Sequence, residues 1–552
     1  MKSRTSFFNL TALRKNITRF APVWALYLIG GLLIGLNSIS TFTPEYGHGA
    51  RSLANSIGPM AIINFLYAII AAELLFGDLF NSRLCNALHA FPMRRESWFA
   101  THTAAGVLFS LVPNLIMSIC FLPFMGEMWY ISFLWLLGMT LEYVFFFGLA
   151  AFSAMCTGNR FAMAAVYALA NFLSMIAYWF VMTFYEPLLY GLHIRDTYFT
   201  RFCPTVWISS ETELVEFQKQ KVSHPYGQYT DVEYTYDGLS ESWWYLAILA
   251  VLGIALLGAA LLLYRRRKLE SAGDFVAFRW MKPIFSVVFT LSVGALFEIF
   301  GETFMYSEYI FLVVGIIVGY FTGQMLLQRT VRVFRKKAFI ACAAIGGVLL
   351  LSILLTALDP LGITRWTPDP SKVEAVILSD TYYYDPETDD DPFIVTDPKR
   401  IEELVNIHAL VMAEADEDYQ YSAALHLTYY MSDGRVIERR YRYNSLGKTA
   451  RELDQFFSSP EYILGYTDWD TYLSSIKEIY VEGSRLSGSD AQELVRAIRA
   501  DCETGKMNPN RKYTSIITWV DVWTDTNTTI QIFYDCENTL DWLRENVPGF
   551  AY

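Results

Sequence analysis

Seven cysteines, two carboxylates set in apolar runs and two acidic clusters are where this 552-residue sequence could do chemistry. Cys85, Cys120, Cys156, Cys203, Cys342, Cys502 and Cys536 are scattered without zinc-ligand spacing, so no metal is expected. Cys502 and Cys536 each end an element of one C-terminal segment, and a disulfide or two buried thiols would both fit. Asp389-Asp390-Asp391 and the run from Glu414 to Asp418 invite a calcium reading. Neither has the glycine and terminal glutamate of an EF-hand loop, and solvated loops account for both. Glu73 and Glu142 fall inside apolar runs, where a carboxylate is costly and must face protein or water. They are candidates for a substrate path, and a bond to a neighbouring helix is the plainer alternative for each. No G-x-x-x-x-G-K-[ST], dinucleotide glycine loop, H-E-x-x-H, C-x-x-C or G-x-S-x-G occurs. Without a recognisable nucleophile–base pair, an enzyme is not expected.

The elements that hold these residues follow from hydropathy and charge. Hydrophobic residues make up 53% and charged residues 18%, below the roughly 25% charged of soluble domains. The deficit is uneven: residues 1–357 carry 25 basic and 20 acidic groups, residues 358–552 carry 18 basic and 35 acidic. The first part reads as a polytopic α-helical membrane region and the second as a soluble domain. An acidic soluble half suits neither nucleic acid nor an anionic lipid surface.

A spanning helix needs about 20 apolar residues, and nine segments qualify: 22–42, 57–77, 100–124, 128–152, 161–185, 243–264, 283–301, 308–328 and 338–357. The seventh is the weakest, with Glu298 and Glu302 at its end; a re-entrant pair is the alternative there. Twenty Lys and Arg residues fall in the loops that an inside N-terminus makes cytoplasmic, and Arg51 alone in the short outer loops. That bias predicts an N-in, C-out chain, with loop 186–242 and residues 358–552 outside the cell. Residues 1–21 are expected to form an amphipathic interfacial helix, with Phe7, Leu10, Leu13, Ile17 and Phe20 on one face.

The C-terminal domain reads as α+β, built from two β-α-β-β-α repeats at about 372–458 and 475–552. In the first, Pro398 opens a helix whose face carries Ile401, Leu404, Val405 and His408, and Asp433-Gly434 joins two strands. In the second, Ser489 and Gln492 form a capping box for a helix with Ala491, Leu494, Val495, Ile498 and Cys502 on its face.

Between the second and third spans lies a charged elbow, Asn81-Ser82-Arg83 through His89-Ala90-Phe91-Pro92-Met93-Arg94-Arg95-Glu96. A short helix ended by Pro92 at this place suits docking of a cytosolic partner; a basic turn that only fixes topology is the alternative. The string NSRLCNALHAFPMRRESWF (residues 81–99) resembles the inner loop of bacterial ABC transporter permeases of the type-2 class. The stretch Tyr264-Arg265-Arg266-Arg267-Lys268-Leu269-Glu270-Ser271-Ala272-Gly273-Asp274, continuing to Lys282-Pro283-Ile284-Phe285, resembles the same permeases after their sixth span. The Ytr-type group of Gram-positive bacteria is the nearest by resemblance, over about residues 1–350.

The resemblance implies a six-span permease core at 22–264, a permease dimer (two identical chains or two sisters) and a separate cytosolic ATPase. ATP and magnesium would sit on that ATPase, with no cofactor in this chain. It also implies that the elbow, with Arg83, His89, Pro92, Arg94, Arg95 and Glu96, is the coupling helix contacting the ATPase. Export, or a part in cell-envelope stress and antibiotic resistance, is the expected role. The three additional spans in 265–357 and the outer domain depart from the six-span pattern. The rival reading is a sensor or scaffold whose outer domain binds a peptide, cell-wall fragment or protein.

Overall fold

Hydrocarbon offers a backbone no hydrogen-bond partner, so long apolar runs satisfy their amides internally as helices. The computed structural model of this chain is mostly helical and describes residues 8–40, 47–90, 94–223, 230–303, 308–380, 394–414, 422–444, 447–457, 473, 475–504, 506, 516–523, 527–548 and 550. Among the described residues, nine helices are long and apolar enough to cross a membrane: Ala21–Ile39, His48–Phe80, Arg95–Phe124, Tyr130–Cys156, Arg160–Leu188, Ser242–Arg266, Met281–Gly301, Ile310–Gln328 and Lys336–Ala357. Each coincides with one of the nine apolar runs, the seventh included.

In chain order the helices are α1 (Leu10–Arg19), α2 (Ala21–Ser40), α3 (His48–Asn55), α4 (Ile57–Phe76), α5 (Ser82–His89), α6 (Arg95–Phe121), α7 (Tyr130–Cys156), α8 (Arg160–Phe180), α9 (Thr197–Thr200), α10 (Pro204–Glu211), α11 (Ser242–Arg266), α12 (Met281–Thr303), α13 (Glu308–Gln328), α14 (Lys336–Ala357), α15 (Pro398–Ala413), α16 (Lys448–Phe457), α17 (Ser489–Glu503) and α18 (Glu537–Asn546). The strands are β1 (Gly191–Leu192), β2 (Val215–Ser223), β3 (Thr230–Leu239), β4 (Val373–Asp380), β5 (Ile394–Val395), β6 (Ser422–Met431), β7 (Val436–Asn444), β8 (Glu478–Val481), β9 (Ser484–Leu486), β10 (Ile516–Trp523) and β11 (Asn527–Phe533). The chain divides into two compact units, Met1–Val181 with Arg195–Leu351, and Met182–Ile194 with Ser352–Tyr552.

The first unit packs around α7. Trp135, Tyr143, Phe146 and Phe147 of that helix are fully buried, with Phe109 and Phe121 of α6 and Tyr167 of α8. Helices α7 and α11 meet backbone to backbone: a Cβ on Gly148 would lie 2.4 Å from the Gly253 carbonyl oxygen. Such closeness is how helices gain contact in lipid, where no hydrophobic force draws them together. Pro113 inside α6 has no N–H, which deprives the Phe109 carbonyl of its helical donor. The Tyr67 hydroxyl of α4 donates to that carbonyl at 2.9 Å, replacing the lost bond. Helix α1 lies against α6: Leu13 is buried, and the Asn9 amide donates to Thr101 Oγ1 at 3.3 Å. Gln324 of α13 donates to Ser286 of α12 at 3.0 Å, and Phe285 of α12 joins a cluster with Ala162 of α8.

The second unit holds two antiparallel sheets, ordered β1-β7-β6-β4-β5 and β11-β10-β8-β9. Helices α15 and α16 share a core with the first sheet (Val376, Leu404, Leu425, Leu427, Leu453), and α17 and α18 with the second (Ile479, Leu494, Ile498, Val520, Ile532, Leu543). One acid ties each helix pair. Glu414, at the end of α15, accepts from the Lys448 amide at 3.1 Å and the Thr449 hydroxyl at 2.7 Å, at the start of α16. Asp501 of α17 accepts from the amide and hydroxyl of Thr539, both at 2.7 Å, at the start of α18.

The expected turn at Gly434 is present, with φ +80°. The expected capping box is not: α17 begins at Ser489 behind Gly488, whose φ of +65° turns the chain in, and Gln492 reaches the Leu473 carbonyl at 3.2 Å instead. Residues 389–391 and 415–418 of the acidic clusters lie outside the described residues.

Residues 186–242 were expected to form one loop of the membrane core, but residues 182–194 belong to the second unit. Gly191 and Leu192 pair with Arg440 and Arg439 of β7, and the Tyr190 hydroxyl donates to the Arg442 carbonyl at 2.6 Å. Gly191 has φ +81°, and a Cβ there would lie 2.0 Å from the Tyr441 ring, so both backbone and space demand glycine. Behind this strand His408 is fully buried, its Nε2 2.6 Å from the Tyr441 hydroxyl and its Nδ1 3.0 Å from that of Tyr429.

Candidate functional site

The elbow forms because Asn81 stops one helix and starts the next. Its side-chain oxygen accepts from the Arg83 amide at 3.0 Å, as an N-cap does for the first turn of α5. Among the described side chains of α5, Cys85 is buried, while Ser82, Arg83, Leu84, Asn86 and Ala87 are exposed. The side chain of Arg94 is exposed beyond it. Pro92 and the side chain of His89 lie outside the described residues.

Arg95 and Glu96 face inward. Arg95 Nη1 donates to the Arg267 carbonyl at 3.0 Å and lies 3.4 Å from that of Tyr264, closing carbonyls that the end of α11 leaves open. Glu96 pairs with Arg265 at 3.1 Å. Arg267 goes further inside: Nη1 donates to the Ala154 carbonyl at 2.7 Å and Nη2 to the Leu79 carbonyl at 3.2 Å. Burial pulls its guanidinium down to about 10, so it keeps its charge at neutral pH. One buried cation therefore joins the end of α7, the turn after α4 and the end of α11. Beside it, Leu75, Phe76, Asp78, Leu79, Phe99, His102 and Tyr264 line a cavity of about 10 Å³, room for one water.

Of the two carboxylates set in apolar runs, Glu73 pairs with Arg160 at 3.5 Å, at this same end of the helices. Glu142 is fully buried midway along α7, beside Asn64 of α4. Glu73 and Glu142 thus lie at different depths and do not form one site. Cys502 and Cys536 are unbridged buried thiols, Cys502 on the apolar face of α17 and Cys536 3.6 Å from the Lys506 carbonyl. Among the described residues no group of His, Cys, Asp or Glu could hold a metal ion.

Arg267, which braces the elbow from behind, is a functional residue that the pattern along the chain does not single out. It stood among four consecutive basic residues that looked like a topology signal. The one available hint was position: it follows the last turn of a span, within reach of carbonyls rather than lipid. Comparison with known protein families, with curated proteins and with solved structures finds no match for this chain.

Proposed function

We propose that this chain is the membrane-spanning permease subunit of an ABC transporter, powered by a separate ATPase that docks on α5 from the cytosol. The observation that carries the reading is an exposed short helix braced from behind. Arg83, Leu84 and Arg94 face solvent, while Arg95, Glu96 and Arg267 tie the neighbouring turns to the ends of α7 and α11. A partner pushing on α5 would move three helix ends together rather than bend a loop. The chain would sit in the plasma membrane of a Gram-positive bacterium, multi-pass, with its N-terminus inside and its C-terminal domain outside. It would pair with a second permease to export a substrate, in envelope stress or antibiotic resistance. The outer domain is read as two copies of one unit, each adding a short strand (β5, β9) before the first helix of the expected β-α-β-β-α order; the matching orders β7-β6-β4-β5 and β11-β10-β8-β9 and the paired Glu414 and Asp501 caps support that.

A sensor reading keeps one specific support: the chain leaving α8 reaches β1 through two short helical turns, Val181–Tyr185 and Glu186–Leu188, so a load on the first sheet would be passed to a helix end. Tagged purification in mild detergent separates the two. The permease reading expects a stoichiometric P-loop ATPase, lost in the Arg83→Glu, Arg94→Glu variant. Arg95 is left intact because it caps α11. A folded wild-type protein that brings down no ATPase would overturn the permease reading and turn attention to ligands of the outer domain.

A further inference from the structure

Helices α2, α4, α6 and α7 bring polar side chains to one buried point. Asn64 Nδ2 donates to Glu142 Oε1. The Tyr27 hydroxyl lies 2.8 Å from Asn64 Oδ1 and 2.9 Å from Asn114 Oδ1. Asn114 Nδ2 lies 2.9 Å from Ser110 Oγ. Asn64, Ser110, Asn114 and Glu142 are fully buried, and Tyr27 nearly so.

A phenol has one hydrogen and cannot serve two carbonyl oxygens, so one of the two amides is turned over. With Asn114 turned, Ser110 donates to Asn114, Asn114 to Tyr27, Tyr27 to Asn64 and Asn64 to Glu142 Oε1. With Asn64 turned instead, a hydroxyl at Oε1 donates to Asn64, Asn64 to Tyr27, Tyr27 to Asn114 and Asn114 to Ser110. Either way Glu142 makes one hydrogen bond, through Oε1. The other oxygen, Oε2, is buried with no hydrogen-bond partner. Among the described residues no Lys, Arg or His stands beside Glu142. The ionisable side chain that the cluster brings toward it is the phenol of Tyr27, on which Tyr67 stacks at 4.1 Å, with Tyr143 at 5.7 Å from Tyr67.

We infer that Glu142 is a proton-binding site, holding one proton on its carboxyl while the four helices are packed. A carboxylate with one hydrogen bond and no counter-charge is not sustained at this depth. A metal ion would need several ligands turned to one point, and among the described residues no group of three or more His, Cys, Asp or Glu meets here. When the helices part and water enters, the O–H bond breaks, the proton passes to water and the hydrated carboxylate remains. One proton leaves per chain, so above the transition each pH unit favours the water-filled arrangement about tenfold. The site stands independently of the ATPase reading.

The test is infrared difference spectroscopy on the full-length protein in lipid nanodiscs at neutral pH, wild type against Glu142→Gln. The expected result is loss of a protonated-carboxyl carbonyl band that shifts in D2O. Loss of an ionised-carboxylate stretch instead would overturn the inference. Should the Gln variant fail to fold, Glu142→Asp keeps the carboxyl and is expected to move the same band. A protonated-carboxyl region left unchanged by the Asp variant would equally overturn it.

Discussion

Asp501 offers the sharpest energetic test of how the C-terminal unit is built. Its buried carboxylate accepts four hydrogen bonds: from Asn538 N at 3.2 Å, Asn538 Nδ2 at 2.8 Å, and Thr539 N and Oγ1 at 2.7 Å each. The two amides are first-turn donors of α18 that the helix itself cannot satisfy. In Asp501→Ala, Asn538 is exposed and can turn to water, but the amide and hydroxyl of Thr539 are fully buried and cannot. Each donor left unsatisfied costs about 1–3 kcal/mol, so the variant should destabilise the attachment of α18 by about 3 kcal/mol. At 1.4 kcal/mol per factor of ten, that raises the population with α18 detached roughly a hundredfold. Cys536 reports it directly, since its buried thiol precedes the first residue of α18. Alkylation of Cys536 in the full-length protein, followed by mass spectrometry, should accelerate by that factor when closing outpaces labelling. Glu414→Ala, which uncaps α16 on the other sheet, should leave Cys536 labelling unchanged. An unaltered Cys536 rate in Asp501→Ala would refute the reasoning, as would equal acceleration by Glu414→Ala.

Two further outcomes follow from buried groups. Burial first, and Arg439 second, pull His408 from its ordinary 6.5 down to about 4. The unfolded chain then takes up a proton that the folded one refuses, so His408 stabilises the unit above pH 6.5, and this is lost as pH falls from 6.5 through 4. The full loss is about 3 kcal/mol; hydrogen exchange of β6 and β7, corrected for intrinsic rate, should show it, and His408→Gln should flatten that pH dependence. In the first unit, Tyr67→Phe should cost about 1 kcal/mol by stranding the Phe109 carbonyl. In a Pro113→Ala background, where residue 113 regains its N–H, detergent-denaturant titration should find that cost near zero.

Much of the architecture was legible along the chain because its signals are local. A bilayer sets the length of an apolar run, so the nine runs correspond, among the described residues, to nine helices long and apolar enough to cross it. Proline at a first helical position and Asp-Gly between strands act within a few residues, and Pro398 and Gly434 stand where that logic expects them. The capping box at Ser489 was misread because Gly488 turns the chain in one residue earlier than serine would.

What composition and spacing determined, then, is where the chain is apolar, where it is charged and where it turns. Which partner each polar group takes was decided only in three dimensions. A guanidinium reaches several ångströms in any direction, so nothing along the chain shows Arg95 and Arg267 closing helix ends while Arg83 and Arg94 stay in solvent. Gly191 pairs with a strand some 250 positions later. Tyr67 serves a carbonyl freed by a proline on another helix, and Glu142 meets Asn64 across the bundle. Burial makes each unsatisfied donor or charge expensive, so the fold settles these pairings by proximity. Proximity is the quantity that a linear pattern does not carry.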